Sequence, residues 1–228
     1  MQDQWDNPEF ARYWDQAALI RNPIRAEQIE ILVSLIADLY QKGTHILDLG
    51  IGSGQIEELL FARRPESVVV GIDASRAMLD LAQERLTSYK AQCTLIQHDL
   101  ATLQECTLPT ATYQLAFSVQ TLHHLTYEEQ QAVFRFVAQT LAPGGIFLLI
   151  DRVEIKPEPF GALYLSMWNH LTASQDTENA FFEELRQKED HPMPLEQLLK
   201  GLQEAGFQTS CLHLYLHRAF VAGIKPAQ

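Results

Sequence analysis

A short apolar run, His45–Leu49, carries straight into Asp48-Leu-Gly-Ile-Gly-Ser-Gly54, and a helix-forming stretch, Gln55–Arg64, follows at once. Glycines at 50, 52 and 54 let the backbone turn sharply and let a ligand approach without interference from a Cβ. The helix opening behind them presents unpaired N–H groups, suited to a carboxylate or a phosphate. Such a strand, loop and helix belong at the carboxyl end of a strand in an open α/β sheet, where ligands collect. The loop alone points only to a nucleotide-like ligand. A dinucleotide fingerprint read from Gly50 would need glycine at position 55, and that residue is Gln55. An NAD-linked oxidoreductase is therefore the disfavoured alternative.

Downstream, strands alternate with helices. Val68–Asp73, Thr94–Gln97, Gln114–Ser118 and Ile146–Ile150 read as further strands. Between the second and third, Ser75 caps a helix whose apolar positions Met78, Leu79, Ala82 and Leu86 repeat at helical spacing. A helix over Tyr127–Leu141 is closed by Ala142-Pro-Gly-Gly145. Such alternation implies βαβ units and a parallel sheet with helices on both faces. Residues 1–43 read as a helical N-terminal cap, in which Ile29, Leu32, Val33, Ile36 and Leu39 form one apolar stripe before Gly43. Residues 154–194 read as a helical insertion or lid. A helix near Leu195–Ala205 precedes two strands, Phe207–Leu212 and Leu216–Gly223, that form an antiparallel hairpin at one sheet edge. The expectation is a single domain over 1–228, with its ligand-binding core at 44–153.

Two acids fall where a nucleoside needs them. Asp73 ends the second strand, where a carboxylate can accept from both hydroxyls of a ribose. Asp99 follows the third strand, placed either to accept from an adenine amino group or to cap the segment Leu100–Cys106.

Together, His45–Gly54, Val70-Gly-Ile-Asp-Ala-Ser-Arg-Ala-Met78, Gln97-His-Asp-Leu100, Tyr113–Leu125 and Leu141-Ala-Pro-Gly-Gly-Ile146 resemble the class I S-adenosylmethionine-dependent methyltransferases, small-molecule type. The resemblance covers about Thr44 to Val153. It implies a Rossmann-like, doubly wound sheet of seven strands in the order 3-2-1-4-5-7-6, with the last strand antiparallel. It also implies S-adenosylmethionine as cofactor and S-adenosylhomocysteine as product. The loop residues Asp48, Gly50, Gly52 and Gly54 would cradle the methionine moiety, and Asp73 with Ala74 the ribose. Met78 would cover one adenine face, with Asp99 and the Leu100 backbone at its amino edge. Ser118 would lie beneath the sulfonium. Tyr13 would fold over the cofactor, and Arg21 or Arg25 would reach the methionine carboxylate.

Methyl transfer is an in-line displacement, so holding the acceptor at attack distance carries most of the catalysis. A base is needed only where the acceptor must lose a proton. His123 and His124 are the candidates, because histidine titrates near neutrality. His191 is a possible pocket residue, as are Phe160, Tyr164 and Trp168. No paired acids suggest a metal, and none is expected.

Lys plus Arg total 17 against 29 acids, a net charge of −12, so a phosphate backbone is a poor partner and the acceptor is expected to be a small organic molecule. The N-terminus lacks the pattern of a signal peptide, and no apolar run has membrane-spanning length, so the cytoplasm is the expected setting. Three scattered cysteines fit reduced thiols rather than disulfides or zinc ligands. A non-catalytic cofactor-binding module and an RNA-modifying enzyme are the remaining alternatives.

Overall fold

The computed structural model describes residues 5–21, 24–110, 112–156, 158–172 and 190–227. Two helices, α1 (Pro8–Arg21) and α2 (Arg25–Leu39), precede β1 (Ile46–Leu49). Then follow α3 (Gln55–Arg63), β2 (Val69–Asp73), α4 (Arg76–Arg85), β3 (Cys93–Gln97) and β4 (Tyr113–Val119). The order continues with α5 (Tyr127–Thr140), β5 (Leu141–Arg152), α6 (Gly161–Thr172), α7 (Leu195–Glu204), β6 (Gln208–Tyr215) and β7 (Arg218–Ile224). Short 3-10 turns at Leu100–Glu105 and Leu122–His124 follow β3 and β4.

The strands form one sheet in the order β3-β2-β1-β4-β5-β7-β6. β1 to β5 run parallel, and β7 pairs antiparallel with both β5 and β6. This is the expected seven-stranded topology.

Alternation along the strands distributes their side chains between two cores. In β4, Leu115, Phe117 and Val119 face a core shared with Ile29, Leu32, Val33 and Ile36 of α2. Ala116 faces the opposite core, which holds Val133, Phe134 and Val137 of α5 and Leu198 and Leu202 of α7. Tyr113 has the parity of Leu115 but lies in the second core, because the β4–β5 register shifts between these two residues. Each fully buried aliphatic side chain contributes about 1.5–3 kcal/mol, so the stripe on α2 is enough to fix that helix to the sheet.

Two boundaries differ from expectation. β5 starts at Leu141, not Ile146, because Leu141 pairs with Tyr113 across the bulge and Gly144 and Gly145 hydrogen-bond with Lys225. The Ala-Pro-Gly-Gly segment is therefore an irregular stretch of the strand as well as a helix stop. The hairpin is longer than expected, closing at Leu216 with φ +50. Of the insertion, α6 is described, and the region 173–189, including Arg186-Gln-Lys188, lies outside the described residues. No described helix is long and apolar enough to cross a membrane.

Candidate functional site

The carboxyl ends of β1, β2 and β4 open into a cavity of about 380 Å³, within the range of small-molecule sites. Gly50 and Gly52 form its floor with φ of +92° and +55°, left-handed values that L side chains adopt only with strain. A Cβ on Gly50 would also lie 2.3 Å from Thr121 Oγ1, so this position requires glycine twice over.

Asp73 fixes the loop. Its Oδ2 accepts from Gly52 N at 2.8 Å and its Oδ1 from Ser75 N at 2.9 Å. A carboxylate has about four acceptor sites, so one remains on each oxygen for a pair of hydroxyls. Burial pushes the Asp73 pKa up, against the two backbone N–H groups that favour its charge. Ala74 and Met78 continue the wall, and Ser75 caps α4 by accepting from Met78 N at 3.1 Å. At the far end lie Asp99 and Leu100. Asp99 Oδ1 accepts from Ala101 N at 2.9 Å, so the residue both caps the turn and borders the cavity.

The N-terminal cap closes the opening with tryptophans. Trp5 and Trp14 line the cavity, edge to face with centroids 5.4 Å apart, and pack near Met78. Tyr13, the aromatic expected there, is 57% exposed and off the cavity wall. One residue along a helix turns the side chain by about 100°, and that step separates Tyr13 from Trp14. Of the two candidate arginines, Arg25 lines the cavity and is buried; the side chain of Arg21 lies outside the described set.

A carboxylate already sits at the N-terminus of α3. Asp15, from α1, accepts from Gln55 Nε2 at 2.7 Å and from the Ser53 hydroxyl, and Arg85 pairs with it at 2.9 Å. Burial works against the Asp15 charge, but these partners together hold its pKa below the usual range. Gln55, which sequence reasoning used only to exclude a dinucleotide loop, is thus a tether for the cap.

Other expected contacts are absent. Asp48 is 2% exposed and lies beneath the loop, outside the cavity. Gly54 shapes the loop with φ +74° but does not border the cavity. Ser118 is fully buried, its hydroxyl donating to Leu49 O at 2.6 Å, so it ties β4 to β1 and leaves the cavity wall to Val119, Gln120 and Thr121.

The two histidines divide. His123 is buried, with Nδ1 2.5 Å from Asp151 Oδ1 and its backbone N–H donating to Asp151 Oδ2 at 3.1 Å. It locks the turn after β4 to the end of β5 and does not border the cavity, which corrects its candidacy as a base. His124 does border the cavity, and its Nδ1 lies 2.8 Å from Asp190 Oδ1. Burial disfavours the Asp190 charge, but the hydrogen bond from His124 and the nearby His123 and Arg152 keep its pKa low. His191 is exposed and off the cavity, its backbone N–H donating to His123 O at 2.6 Å. The neighbouring Asp190, unflagged by the sequence, is the residue that pairs with His124 behind the cavity wall. Phe160, Tyr164 and Trp168 also lie off the cavity wall.

His123, His124 and Asp190 place potential ligand atoms within 4.8 Å of one another. Arg152 is ion-paired to Asp190 and supplies the positive charge a metal would bring, so we assign no metal.

Comparison with known proteins agrees with this geometry. A family profile described as "Methyltransferase domain" matches residues 46–145. The carboxy-S-adenosyl-L-methionine synthase of Trichodesmium erythraeum (strain IMS101) is 25% identical over 95% of this chain and 87% of its own length. The trans-aconitate 2-methyltransferase of Acidovorax ebreus (strain TPSY) is 32% identical over 58% of this chain; the match spans about half of that relative, 47%. Magnesium protoporphyrin IX methyltransferase from Synechocystis PCC 6803, solved with bound S-adenosylhomocysteine, has the same fold: TM-score 0.68 at 18% identity, over 98% of this chain and 97% of that one. Residues 46–145 thus match a methyltransferase domain, and the chain has the fold of these enzymes. S-adenosylhomocysteine is the ligand bound in the Synechocystis structure. The cavity suits that molecule, because a glycine floor admits close approach at one end and the acids Asp73 and Asp99, with Met78 between, serve a nucleoside at the other.

Proposed function

We propose that this methyltransferase methylates a small organic acceptor and that His124 takes the acceptor's proton. One observation carries the assignment: His124 borders the cavity while its Nδ1 is engaged by Asp190. With the proton on Nδ1 donated to the carboxylate, Nε2 keeps the lone pair of a base. Asp190 would also stabilise the imidazolium as it forms. The bound cofactor supplies an electrophilic methyl group on a sulfonium. In the proposed scheme, Gly50 and Gly52 receive the methionine moiety, Asp73 and Ala74 the ribose, and Met78, Asp99 and Leu100 the adenine. Trp5 and Trp14 exclude water from above. Residues 1–43 then serve as cap, 44–153 as cofactor core and 154–194 as lid, with 195–228 completing the sheet. The net charge of −12 supports a small acceptor over nucleic acid. Three free thiols support a cytoplasmic setting.

His124→Gln is expected to lower kcat by about 100-fold or more, with cofactor affinity unchanged. Single-turnover kinetics at saturating cofactor measure this. A kcat within twofold of wild type removes His124 as the base. Cofactor binding without turnover across a broad acceptor panel would instead favour a binding module.

A second reading has specific support: the relative matched over 87% of its length is named for making carboxy-S-adenosyl-L-methionine. Under it, the product is a modified cofactor. Mass spectrometry of the reaction mixture separates the two readings.

A further inference from the structure

Arg152, the last residue of β5, is buried and does not border the cavity. Its Nη1 is ion-paired to Asp190 Oδ2, while the other oxygen, Oδ1, lies 2.8 Å from His124 Nδ1. The Asp190 side chain, 4% exposed, is thus held between a cation behind the cavity wall and an imidazole on it. His123 is its third neighbour, with Nε2 3.9 Å from Asp190 Oδ2 and its ring centroid 4.1 Å from that of His124. It is a poor source of the balancing charge, because Asp151 takes its Nδ1 and burial pushes its pKa down. Two adjacent residues therefore hold the two histidines: Asp151 binds His123 directly, and Arg152 reaches His124 through Asp190.

The other ionisable groups around this cluster leave the role to Arg152. His217 is buried, and burial with the nearby Arg218 and Arg152 holds its pKa well below the usual histidine value. Arg218 lies opposite Arg152 across the β5–β7 ladder and adds charge of the same sign. His191 is exposed, joined to the cluster through its backbone N–H on His123 O. On the cavity side, Trp5 faces His124 with ring centroids 5.9 Å apart, and Glu129 has its Oε2 engaged by Thr126. A buried carboxylate needs a partner cation or takes up a proton. In the absence of Arg152 that cation would be His124 itself, held as an imidazolium with no lone pair to offer. A guanidinium keeps its charge across the neutral range, so it can satisfy Asp190 without a proton from His124.

We propose that Arg152 is a positioning residue for methyl transfer: acting through Asp190, it keeps the His124 ring neutral, with its proton on Nδ1 and the Nε2 lone pair free. This rests on the reading of His124 as the base and extends it to a residue that lies off the cavity wall.

The charge and tautomer of His124 are read from long-range proton–nitrogen spectra of the full chain, isotope-labelled on histidine nitrogen and saturated with S-adenosylhomocysteine, between about pH 5 and pH 9. The His124 signals are those lost in His124→Gln. In wild type the neutral ring carries its proton on Nδ1. In Arg152→Gln an amide still donates to Asp190 but the cation is gone. The imidazolium is then favoured, and the His124 midpoint rises above wild type by about one pH unit or more. Arg152→Lys keeps the charge and stays closer to wild type, whereas Asp190→Asn removes the anion and moves the midpoint down. Loss of packing alone does not give shifts of opposite sign. For whichever acceptor the wild type methylates, the acidic limb of kcat moves to higher pH in Arg152→Gln. Calorimetric affinity for S-adenosylhomocysteine within twofold of wild type shows that a variant is folded. If Arg152→Gln does not bind the nucleoside, the double variant with Asp190→Asn, which leaves no unpaired charge, takes its place, and its midpoint lies above that of Asp190→Asn alone. The proposal is overturned if removing Arg152 leaves the His124 midpoint within a few tenths of a unit of its parent, or if the neutral wild-type ring carries its proton on Nε2. The reading of His124 as the base fails separately, if His124→Gln turns over within twofold of wild type.

Discussion

Asp73→Ala is expected to weaken S-adenosylhomocysteine binding by about 100-fold or more at neutral pH, measured by calorimetry. Two losses combine. The first is direct: in the proposed scheme the carboxylate accepts from two ribose hydroxyls, and a hydrogen bond to a charged group contributes about 1.5–3 kcal/mol. The second acts through the loop. Gly52 N and Ser75 N both lose their acceptor, so the glycine floor and the start of α4 loosen together. Asp73→Asn separates the two losses. An asparagine retains one acceptor oxygen, so it keeps part of the loop restraint while removing the charge. The expected ranking of affinity is wild type, then Asp73→Asn, then Asp73→Ala, with melting temperature falling most in the alanine variant. Affinity equal to wild type in Asp73→Ala would take Asp73 out of the binding site.

How far the sequence could reach is clearest in the contrast between Asp73 and Asp190. Asp73 was legible because its position depends on one local rule: an acid at the end of the strand after a glycine loop faces the same crevice as that loop. The sheet order was legible for a similar reason, since strands that alternate with helices leave few topologies open. Asp190 and His124 are 66 residues apart in sequence, and their 2.8 Å contact depends on how the insertion returns to the sheet. No periodicity encodes that. Tyr13 illustrates a different limit: the cap helix was recognised, but which of two adjacent aromatics faces inward depends on a helical phase that packing sets. Ser118 and Asp48 lie on strands that are buried on both faces, so period-2 alternation cannot say which side chains reach a ligand. His123 had the right residue type next to the right position, and its ring was committed to Asp151 instead.

The last large effect concerns two acids that do not touch the cavity. Asp48 and Glu57 are 2% and 0% exposed, and Asp48 Oδ1 and both oxygens of Glu57 have no partner among the other described residues. Two bare carboxylates in contact could not be buried this way, so a proton held between them makes the pair tolerable. Burial drives the Asp48 pKa well above its ordinary value, and it lifts Glu57 from 4.5 to about 7. The folded chain therefore binds a proton that the unfolded chain releases at lower pH. Stability from this group is fully present below about pH 4.5 and is lost as pH rises through about 7. A difference of that size corresponds to about 3 kcal/mol between the two limits. Thermal melts of the apo protein are expected to show the midpoint falling between pH 5 and pH 8, with part of that fall due to this pair. In Glu57→Gln the amide donates to Asp48 at every pH, so the share that comes from Glu57 disappears. At pH 8 the variant should melt about 5 °C or more above wild type, given roughly 2–4 °C per kcal/mol for a chain of this size. At pH 5 the two should nearly coincide. A variant that melts below wild type at both pH values would show that the Glu57 carboxyl is held by something other than a shared proton.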